Sequence, residues 1–595
     1  MANKGVGSLR RGQVVTSFGP GATIDLPEIS VVIGGLDWWR GHDRERIVEP
    51  RLEEKVAQAL GLPRIKLFAP PAESQDPRDP IFGIDIKEFP LWFVADVDQK
   101  VGSSRSRPLV HQRDLVNGKY EYNGKKYEVT PVRFVQACRN GHIADIEWRE
   151  FTHTGRSTCA RAPLWIDEYG TSGDLADGLV RCDCGLKRAL AQATRPDVLG
   201  QCKGQRPWLD RGEKCGGEGG TPEMMRLLIR TASNAYFPQK LSVLALPEAA
   251  DCIRGAVRKL WQMLKDVDSV EALAQFRQML SAVRDGLQGI DDATAFTYIT
   301  AEREGKTLPR RPIKVDEFEA LTQAADSLGE DRPEGDFYAR RLVLPNSPTG
   351  VLEPIDRVVL VHRLREVTAQ VGFTRFEAVV PDVQGELDLG VRRAAIAMEP
   401  SWMPAVETRG EGIFLSFKKS AIDAWRARDE VKAQDEAFRL GFDPSRGPTV
   451  RPDLTYVMLH SLSHLLISAV ALDCGYNTSS IRERIYVSSA GCGILLYTGT
   501  SDAEGTLGGL VQAGRKIERY LKQALDLGRL CANDPVCAQH APDSQHEEHH
   551  SLGAACHGCL LISETCCERR NEFLDRSLVI ATVQNLGCEF FVEAE

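Results

Sequence analysis

The sequence predicts a multidomain α+β protein with a strand-rich N-terminal part, a central helical region and a mixed α/β C-terminal part. Short β-branched runs separated by Gly and Pro fill most of 1–245, whereas apolar residues at helical spacing dominate 246–330. Strand and helix patterns then mix through 331–595. Clustered cysteines in each half add a zinc module to both the first and the last of these domains.

Composition is that of an ordinary globular protein. The 595 residues are 42% hydrophobic and 26% charged, and a net charge of −9 gives no overall basic surface for nucleic acid. The first residues lack the apolar run of a signal peptide, and apolar windows such as 465–472 are too short to span a bilayer. These features predict a cytoplasmic protein with reduced cysteines, so clustered thiols favour metal over disulfides.

The N-terminal part is interpreted as short strands joined by tight turns. Asn123-Gly124 is typical of a hairpin turn. Gly19-Pro20-Gly21 is not followed by Gly-Lys-Ser/Thr, and no complete phosphate-binding loop occurs in the chain. The sequence therefore indicates no nucleotide-binding site of that type.

A first cysteine cluster lies in a glycine-rich stretch with little periodicity. Four thiols form the predicted zinc set: Cys182, Cys184, Cys202 and Cys215. A metal would supply the cohesion that a hydrophobic core does not supply there. Four unrelated thiols are the alternative, because Cys-x-Cys is less usual than Cys-x2-Cys spacing. Cys138, His142 and Cys159 lie just upstream and are alternative ligands or part of an incomplete second site.

Three arginines after the helical region are candidate phosphate contacts. Arg363, Arg365 and Arg375 lie within one short span, and guanidinium groups pair with phosphate oxygens bidentately. The sequence therefore predicts DNA binding here. The alternative is a solvated face with carboxylate partners such as Glu366.

An apolar helix, LTYVMLHSLSHLLISAVAL, carries His460 and His464 one turn apart. Ser461-Leu462 stands where a zinc protease has its Glu, so a protease of that type is excluded. These histidines, or the run His546 to His550, would be needed for a metal-dependent nuclease or hydrolase. Histidines in a core and an exposed polar loop are the alternatives.

The C-terminal cysteine cluster is the strongest metal signal. Cys556 and Cys559 form a Cys-x2-Cys turn, and Cys531 and Cys537 lie far enough upstream to complete a tetrahedral sulfur site. His540 and Cys567 remain alternative ligands. Neither cluster has an obvious general base beside it, so we predict two closed structural zinc ions per chain.

Short blocks spread over nearly the whole chain carry a family resemblance. They are RRGQVVTSFGPGATIDLPEISVVIGGLDWW, FVQACRNGHIADIEW, TASNAYFP, LREVTAQVGFTR, EGTLGGLV, CANDPVC and AACHGCLLISETCCE. Together they resemble the DrmB family, the core subunit of DISARM anti-phage systems. The C-terminal part is similar to the cysteine-bearing domain of MrfA-type DNA-repair helicases.

This resemblance implies a non-motor subunit that is not itself an enzyme. Such subunits pair with DrmA, a large helicase that supplies the ATPase, and the complex engages phage DNA beside a DNA methyltransferase. The zinc-ligand role of MrfA-type cysteines carries over first to Cys556 and Cys559, and less directly to Cys531 and Cys537, whose spacing is wider. Where the family usually has Ser-Cys-Glu, this chain has Cys566-Cys567-Glu568. Cys567 is the thiol that matches the family's cysteine.

The leading hypothesis is a scaffold that clamps the helicase and helps admit or hold DNA, either single-stranded or at a duplex end. A metal-dependent nuclease or hydrolase is one alternative. A purely structural, zinc-stabilised partner subunit is the other.

Overall fold

The chain forms two compact units in the computed structural model. The structure describes residues 7–592 except for 27–28, 41–43, 72–82, 98, 102–103, 155–158, 160–161, 170–173, 217–219, 247–255, 288–289, 305–311, 324–325, 380, 386, 388–392, 445–449, 500–507, 544–550 and 585–586. Unit 1 comprises Met1–Ser242, Val367–Pro381 and Leu387–Glu407. Unit 2 comprises Val243–Glu366, Asp382–Glu386 and Thr408–Glu595.

The predicted fold class is confirmed, since a strand-rich N-terminal part, a helical middle and a C-terminal part with clustered cysteines are all present. The three predicted domains are distributed over the two units. The helical region 246–330 belongs to unit 2, and the chain returns to unit 1 at 367–381 and 387–407. Consecutive segments therefore share a core with distant parts of the chain, which periodicity alone does not reveal.

Unit 1 is built mainly from short strands. Its longest sheet is Val129–Pro131, Trp92–Ala95, Ser104–His111, Leu164–Glu168, Gly178–Cys182 and Lys187–Ala189, with Gln99–Val101 paired to Ser104–His111. The other strands are Thr23–Asp25, Ser30–Ile33, Trp39–Arg40, Arg46–Ile47, Lys66–Phe68, Gly83–Ile84, Ile86–Glu88, Tyr120–Tyr122, Lys125–Tyr127, Phe134–Ala137, Ile143–Ala144, Arg226–Ile229 and Phe237–Leu244. The helices are Arg11–Thr16, Pro50–Leu60 and Trp148–His153.

Unit 2 combines one sheet with most of the helices. The sheet order is Ser327–Gly329, Phe337–Leu342, Ile355–Thr374, Trp402–Phe417, Gly491–Thr498 and Ile481–Ser488; residues 367–374 and 402–407 of these strands fall within unit 1. Helices of the predicted helical region are Trp261–Leu264, Val270–Met279, Ser281–Gly286, Asp292–Glu304 and Ile313–Gln323. Later helices are Lys419–Arg426, Asp429–Gly441, Leu454–Cys474, Gly509–Gly514, Ile517–Arg529 and Val536–Gln539.

The helix Leu454–Cys474, hereafter the central helix, is buried on every face over most of its length. Asp453 caps it by accepting the Thr455 N–H at 2.8 Å, and Gly475 ends it with a left-handed φ of 68°. Gly528 on Ile517–Arg529 allows close packing, because a Cβ there would lie 3.0 Å from Leu465. The helix is long and apolar enough to cross a membrane, but most of it lies inside unit 2, as in a core helix.

A buried ion pair joins the helix Ile313–Gln323 to the strand Ile481–Ser488. Arg484 donates to both oxygens of Glu317 at 2.6 and 2.9 Å, and both side chains are almost fully buried. The Tyr486 hydroxyl and the Leu244 N–H also donate to this carboxylate, at 3.3 and 3.1 Å. The pair is therefore hydrogen-bonded as well as charge-balanced, the condition under which ions are tolerated in a core.

Glu317→Ala should lower the free energy of unfolding by about 3–5 kcal/mol, because it leaves the Arg484 guanidinium charged and buried without its partner. Glu330→Ala is the matched control, since Glu330 pairs with Arg332 at 2.6 Å on the surface, where such pairs contribute about 0–1 kcal/mol. Urea unfolding followed by circular dichroism measures both. Equal losses for the two variants would contradict the assignment.

Candidate metal centres

Among the described residues, four groups of side chains bring their ligand atoms within 4.8 Å of one another. Cluster 1 is Cys138, His142, Cys202 and Cys215; cluster 2 is His153, Cys159, Cys182 and Cys184; cluster 3 is Cys531, Cys537, Cys556 and Cys559; cluster 4 is His460, His464, Glu483 and Cys567. Clusters 1 and 2 lie in unit 1, and clusters 3 and 4 lie in unit 2. The residue types of all four groups suit zinc.

Cluster 1 forms around a hairpin turn. Cys138 and His142 flank the turn between Phe134–Ala137 and Ile143–Ala144, and the Cys138 N–H donates to the His142 carbonyl at 3.0 Å. The His142 Nδ1 lies 3.3 Å from the Cys138 Sγ and 3.4 Å from the Cys202 Sγ. All four ligands are buried. The turn thus presents two ligands to thiols from a distant loop.

A carboxylate orients the cluster 1 histidine. The His142 Nε2 lies 2.7 Å from Glu213, whose other oxygen accepts from Arg206 at 2.8 Å. The hydrogen bond to His142 lowers the pKa of Glu213, so this carboxylate is ionised and holds the hydrogen on Nε2. Once the ring is neutral, as metal binding requires, Nδ1 carries the lone pair that faces the thiols. Such a carboxylate–histidine pair is the usual support of a metal-bound imidazole.

Cluster 2 joins a helix to a hairpin. His153 ends the helix Trp148–His153, and its Nδ1 lies 2.7 Å from the Arg149 carbonyl, which only accepts hydrogen bonds. Its Nε2 therefore presents a lone pair to the Cys184 Sγ, 3.3 Å away. A hydrogen bond from the Leu186 N–H lowers the pKa of Cys184 to about 7. This thiol is thus ionised in part at neutral pH, as a metal ligand requires.

Cluster 3 has the dimensions of a four-thiolate zinc site. The Sγ separations are 3.5 Å for Cys531 and Cys556, 3.8 Å for Cys537 and Cys559, and 3.7 Å for Cys556 and Cys559. Zn–S bonds of about 2.3 Å in a tetrahedron place sulfurs about 3.8 Å apart. The side chains therefore need little rearrangement to hold the ion.

Backbone N–H groups support the cluster 3 thiols. The Cys531 Sγ accepts from the Asn533 N–H at 3.4 Å, and the Cys556 Sγ accepts from the Gly558 N–H at 3.3 Å. Burial opposes ionisation of Cys556, but hydrogen bonds from the Asn533 side chain and from Gly558 lower its pKa to about 7. An N–H two residues after the cysteine thus stabilises the thiolate.

The structure does not bring the four predicted N-terminal ligands together. Cys182 and Cys184 lie in cluster 2, whereas Cys202 and Cys215 lie in cluster 1. Three residues that the sequence offers as alternatives, Cys138, His142 and Cys159, occupy the remaining places together with His153. No sequence signal points to His153, because it ends a helix far from any Cys-x-Cys pair. Contacts between remote segments, not spacing, decide which thiols meet.

In the C-terminal half, the predicted set Cys531, Cys537, Cys556 and Cys559 is assembled as cluster 3. His540 is not a member, and Cys567 lies in cluster 4 with His460, His464 and Glu483. Glu483 gave no sequence signal, because it lies in a strand between two arginines. The run from 546 to 550 lies outside the described residues.

The predicted arginine contacts to DNA lose most of their support. Arg375 is buried and donates to the carbonyls of Gly141, Ala235 and Gly21 at 2.5–2.9 Å. Arg365 is also buried and lies 3.3 Å from Asp336. The Arg363 side chain is 21% exposed and lies 3.6 Å from Asp331. Burial removes Arg365 and Arg375 from the reach of a phosphate, so Arg363 alone of the three keeps access to solvent.

Two family models match the chain. A domain of unknown function, DUF8724, matches residues 10–237, and the MrfA Zn-binding domain matches residues 462–560. The second match contains all four thiols of cluster 3. Zinc is therefore the metal expected of this chain, and the cysteine and histidine clusters are compatible with it.

The chain resembles a curated relative and a solved structure. The DISARM protein DrmB of Bacillus paralicheniformis is 31% identical over 480 residues, which is 78% of this chain and 82% of that protein. The crystal structure of the DUF1998 helicase MrfA bound to DNA is 12% identical, with a TM-score of 0.18, over 38% of this chain and 24% of the helicase. This chain spans about a quarter of that helicase, and so low a TM-score supports no conclusion.

Cys182→Ser and Cys202→Ser test the division between clusters 1 and 2. Each single variant should lose about one zinc equivalent and the double variant about two, because the thiols belong to different four-ligand sites. Plasma mass spectrometry on protein purified without chelator gives the counts. Cys492→Ser is the control, since Cys492 is a buried thiol outside the clusters. If the double variant loses only one equivalent, Cys182 and Cys202 belong to a single site.

Proposed function

Because this chain belongs to the DrmB family of DISARM proteins, we propose that it is a non-motor subunit of a bacterial anti-phage complex, which holds the DrmA helicase and helps bind or load phage DNA. The identity to a DISARM protein DrmB, over 82% of that protein, carries this proposal. The cytosol is the expected compartment, and a DNA methyltransferase of the same system is a further partner.

The division of labour rests on the sequence and on the metal centres. The chain contains no complete phosphate-binding loop, which agrees with an ATPase carried by DrmA. Each cluster offers four protein ligands, which fill a tetrahedral zinc ion and leave no position for water or substrate. These centres therefore stabilise irregular segments, and their geometry favours a scaffold over a metal-dependent nuclease or hydrolase.

A groove in unit 2 is the best-placed surface for phosphate. It encloses about 680 Å³ between an apolar segment, 342–345, and the start of the helix Ile517–Arg529. Four cations line it: Arg515, Lys516, Arg519 and Lys522. Arg519 pairs with Asp473, and Lys522 pairs with Glu518.

Arg515 and Lys516 are the two cations of the groove whose charges are not paired with a described carboxylate. Both are exposed, and neither forms an ion pair with any residue that the structure describes. Glu518 and Asp526 also line the groove, but exposed cations that are not held in ion pairs exchange counterions for phosphates, which gives affinity without base readout. With Arg363, they are our candidates for contacts to DNA.

The assembly itself is the first test. Co-expressed chain and DrmA should elute together from size exclusion, and phosphate release from ATP should require DrmA, since only the helicase supplies the ATPase. The chain alone and DrmA alone are the controls. ATP hydrolysis by the isolated chain, or separate elution of the two proteins, would contradict the proposed role.

Arg515→Ala with Lys516→Ala should weaken binding of the complex to single-stranded DNA. Two lost phosphate contacts reduce the slope of log K against log salt by about 1.4, at about 0.7 per contact. Fluorescence anisotropy between low and moderate salt measures the slope. Lys125→Ala with Lys126→Ala is the control, because both lysines are exposed on a hairpin of unit 1. Equal slopes for the two double variants would exclude this groove from DNA binding while leaving helicase assembly intact.

A further inference from the structure

Cluster 4 lies inside unit 2 and is built from separate parts of the chain. His460 and His464 come from the central helix, Glu483 comes from the strand Ile481–Ser488, and Cys567 follows the last thiol of cluster 3. The histidines are 0% exposed, Glu483 is 3% exposed and Cys567 is 7% exposed. Four ionisable side chains thus meet where water does not solvate them.

The histidine ring orientations are fixed by backbone carbonyls. The Nδ1 of His460 lies 3.1 Å from the Phe573 carbonyl, and that of His464 lies 2.8 Å from the Leu560 carbonyl. A carbonyl oxygen only accepts, so both Nδ1 atoms carry the hydrogen. Each neutral ring then presents the Nε2 lone pair inward. This is the orientation that backbone partners impose on metal-bound histidines.

The two Nε2 atoms converge on the same acceptors. The His460 Nε2 lies 2.9 Å from the Glu483 Oε1 and 3.0 Å from the Cys567 Sγ, and the His464 Nε2 lies 3.3 Å from the same Oε1. Zinc bonds of about 2.0–2.3 Å in a tetrahedron give ligand separations of about 3.3–3.6 Å. The three separations are equal to these values or shorter, so the side chains would move apart slightly to hold an ion at a shared centre.

The charges of the four side chains are compatible with a bound metal. Without a metal, hydrogen bonds to an ionised Glu483 require at least one protonated ring, and a neutral set requires the Glu483 carboxyl to be protonated. A Zn²⁺ ion with one carboxylate, one thiolate and two neutral imidazoles has no net charge. Burial favours a neutral arrangement, because an unbalanced charge in a core is destabilising.

Neighbouring groups support the anionic ligands. The Cys567 Sγ accepts from the N–H groups of Arg569 and Asn571 at 3.4 and 3.2 Å, which repeats the spacing of two residues seen at Cys531 and Cys556. Arg570 and Asn571 take left-handed φ values of 54° and 63° in this turn. Both are conformations that residues other than glycine adopt at a cost, so the turn is held in place by its surroundings.

We propose that cluster 4 is a second metal centre of unit 2, a closed site in which His460, His464, Glu483 and Cys567 bind one Zn²⁺ ion. The match to the MrfA Zn-binding domain begins after His460 and ends before Cys567, so it does not account for this site. The mixed nitrogen, oxygen and sulfur set with four ligands suits zinc better than a hard cation such as Mg²⁺. The ion fastens the turn at Cys567 to the central helix.

Glu568, the residue after Cys567, links this turn to a helix and a strand. Its carboxylate accepts from Lys314 at 2.7 and 2.8 Å and from the Ile485 N–H at 2.9 Å. Lys314 belongs to the helix Ile313–Gln323. The site therefore sets the position of a carboxylate on which that helix and the neighbouring strand depend. Its role is structural, because its four protein ligands leave no open position.

Zinc content of variants tests the site in the full-length chain. Cys567→Ala and His464→Ala should each lose about one zinc equivalent, as expected for the loss of one ligand from a four-coordinate site. Cys566→Ser is the matched control, because Cys566 is equally buried and adjacent but its Sγ donates to the Ser479 carbonyl at 3.0 Å. Full zinc content in both ligand variants would overturn the proposal.

Anomalous diffraction at the zinc edge decides the case without a substitution. Crystals of the wild-type chain should show a peak bounded by the Nε2 atoms of His460 and His464, separate from the peak at cluster 3. A peak at cluster 3 with none at cluster 4 would overturn the proposal even where the variants fail to fold. Neither result depends on whether the chain binds DrmA or DNA.

Discussion

The central helix places the imidazoles of His460 and His464 where water cannot reach them. The surrounding parts of unit 2 supply the polar partners that these buried rings need. An apolar helix buried on every face needs no polar partners of its own, but His460 and His464 do. Backbone carbonyls satisfy one nitrogen of each ring, and Glu483 and Cys567 face the other. The strand and the C-terminal turn are thereby tied to this helix.

In unit 1, polar side chains add cohesion at the ends of short strands. Few of its strands are long enough to hold a fold by packing alone, and clusters 1 and 2 lie where hairpin turns leave the sheet. Arg375 adds a second device, because its guanidinium joins three separate loops through their carbonyls. Charged side chains whose sequence pattern suggests an external ligand thus stabilise the interior of the protein.

The sequence predicted the cluster 3 ligands because all four lie in two short segments, and a Cys-x2-Cys turn fixes half of the tetrahedron locally. It did not predict how the N-terminal thiols divide, since Cys182 and Cys202 are close in sequence, but Cys182 ends a strand whereas Cys202 lies in a loop of another cluster. The sequence also did not predict which of the arginines are exposed. A run of cations has the same pattern whether its side chains face solvent or a ring of buried carbonyls.

The sequence by itself determined the α+β class, the helical middle, the family and the C-terminal thiol set, because periodicity, composition and short-range spacing are local properties of the chain. Only the tertiary structure decided that the chain folds as two units, that His153 and Glu483 join cysteines distant in sequence, and that Arg375 is a core residue. Each of these depends on pairings between remote segments. Such pairings are set by packing and charge balance in the interior, which no local pattern encodes.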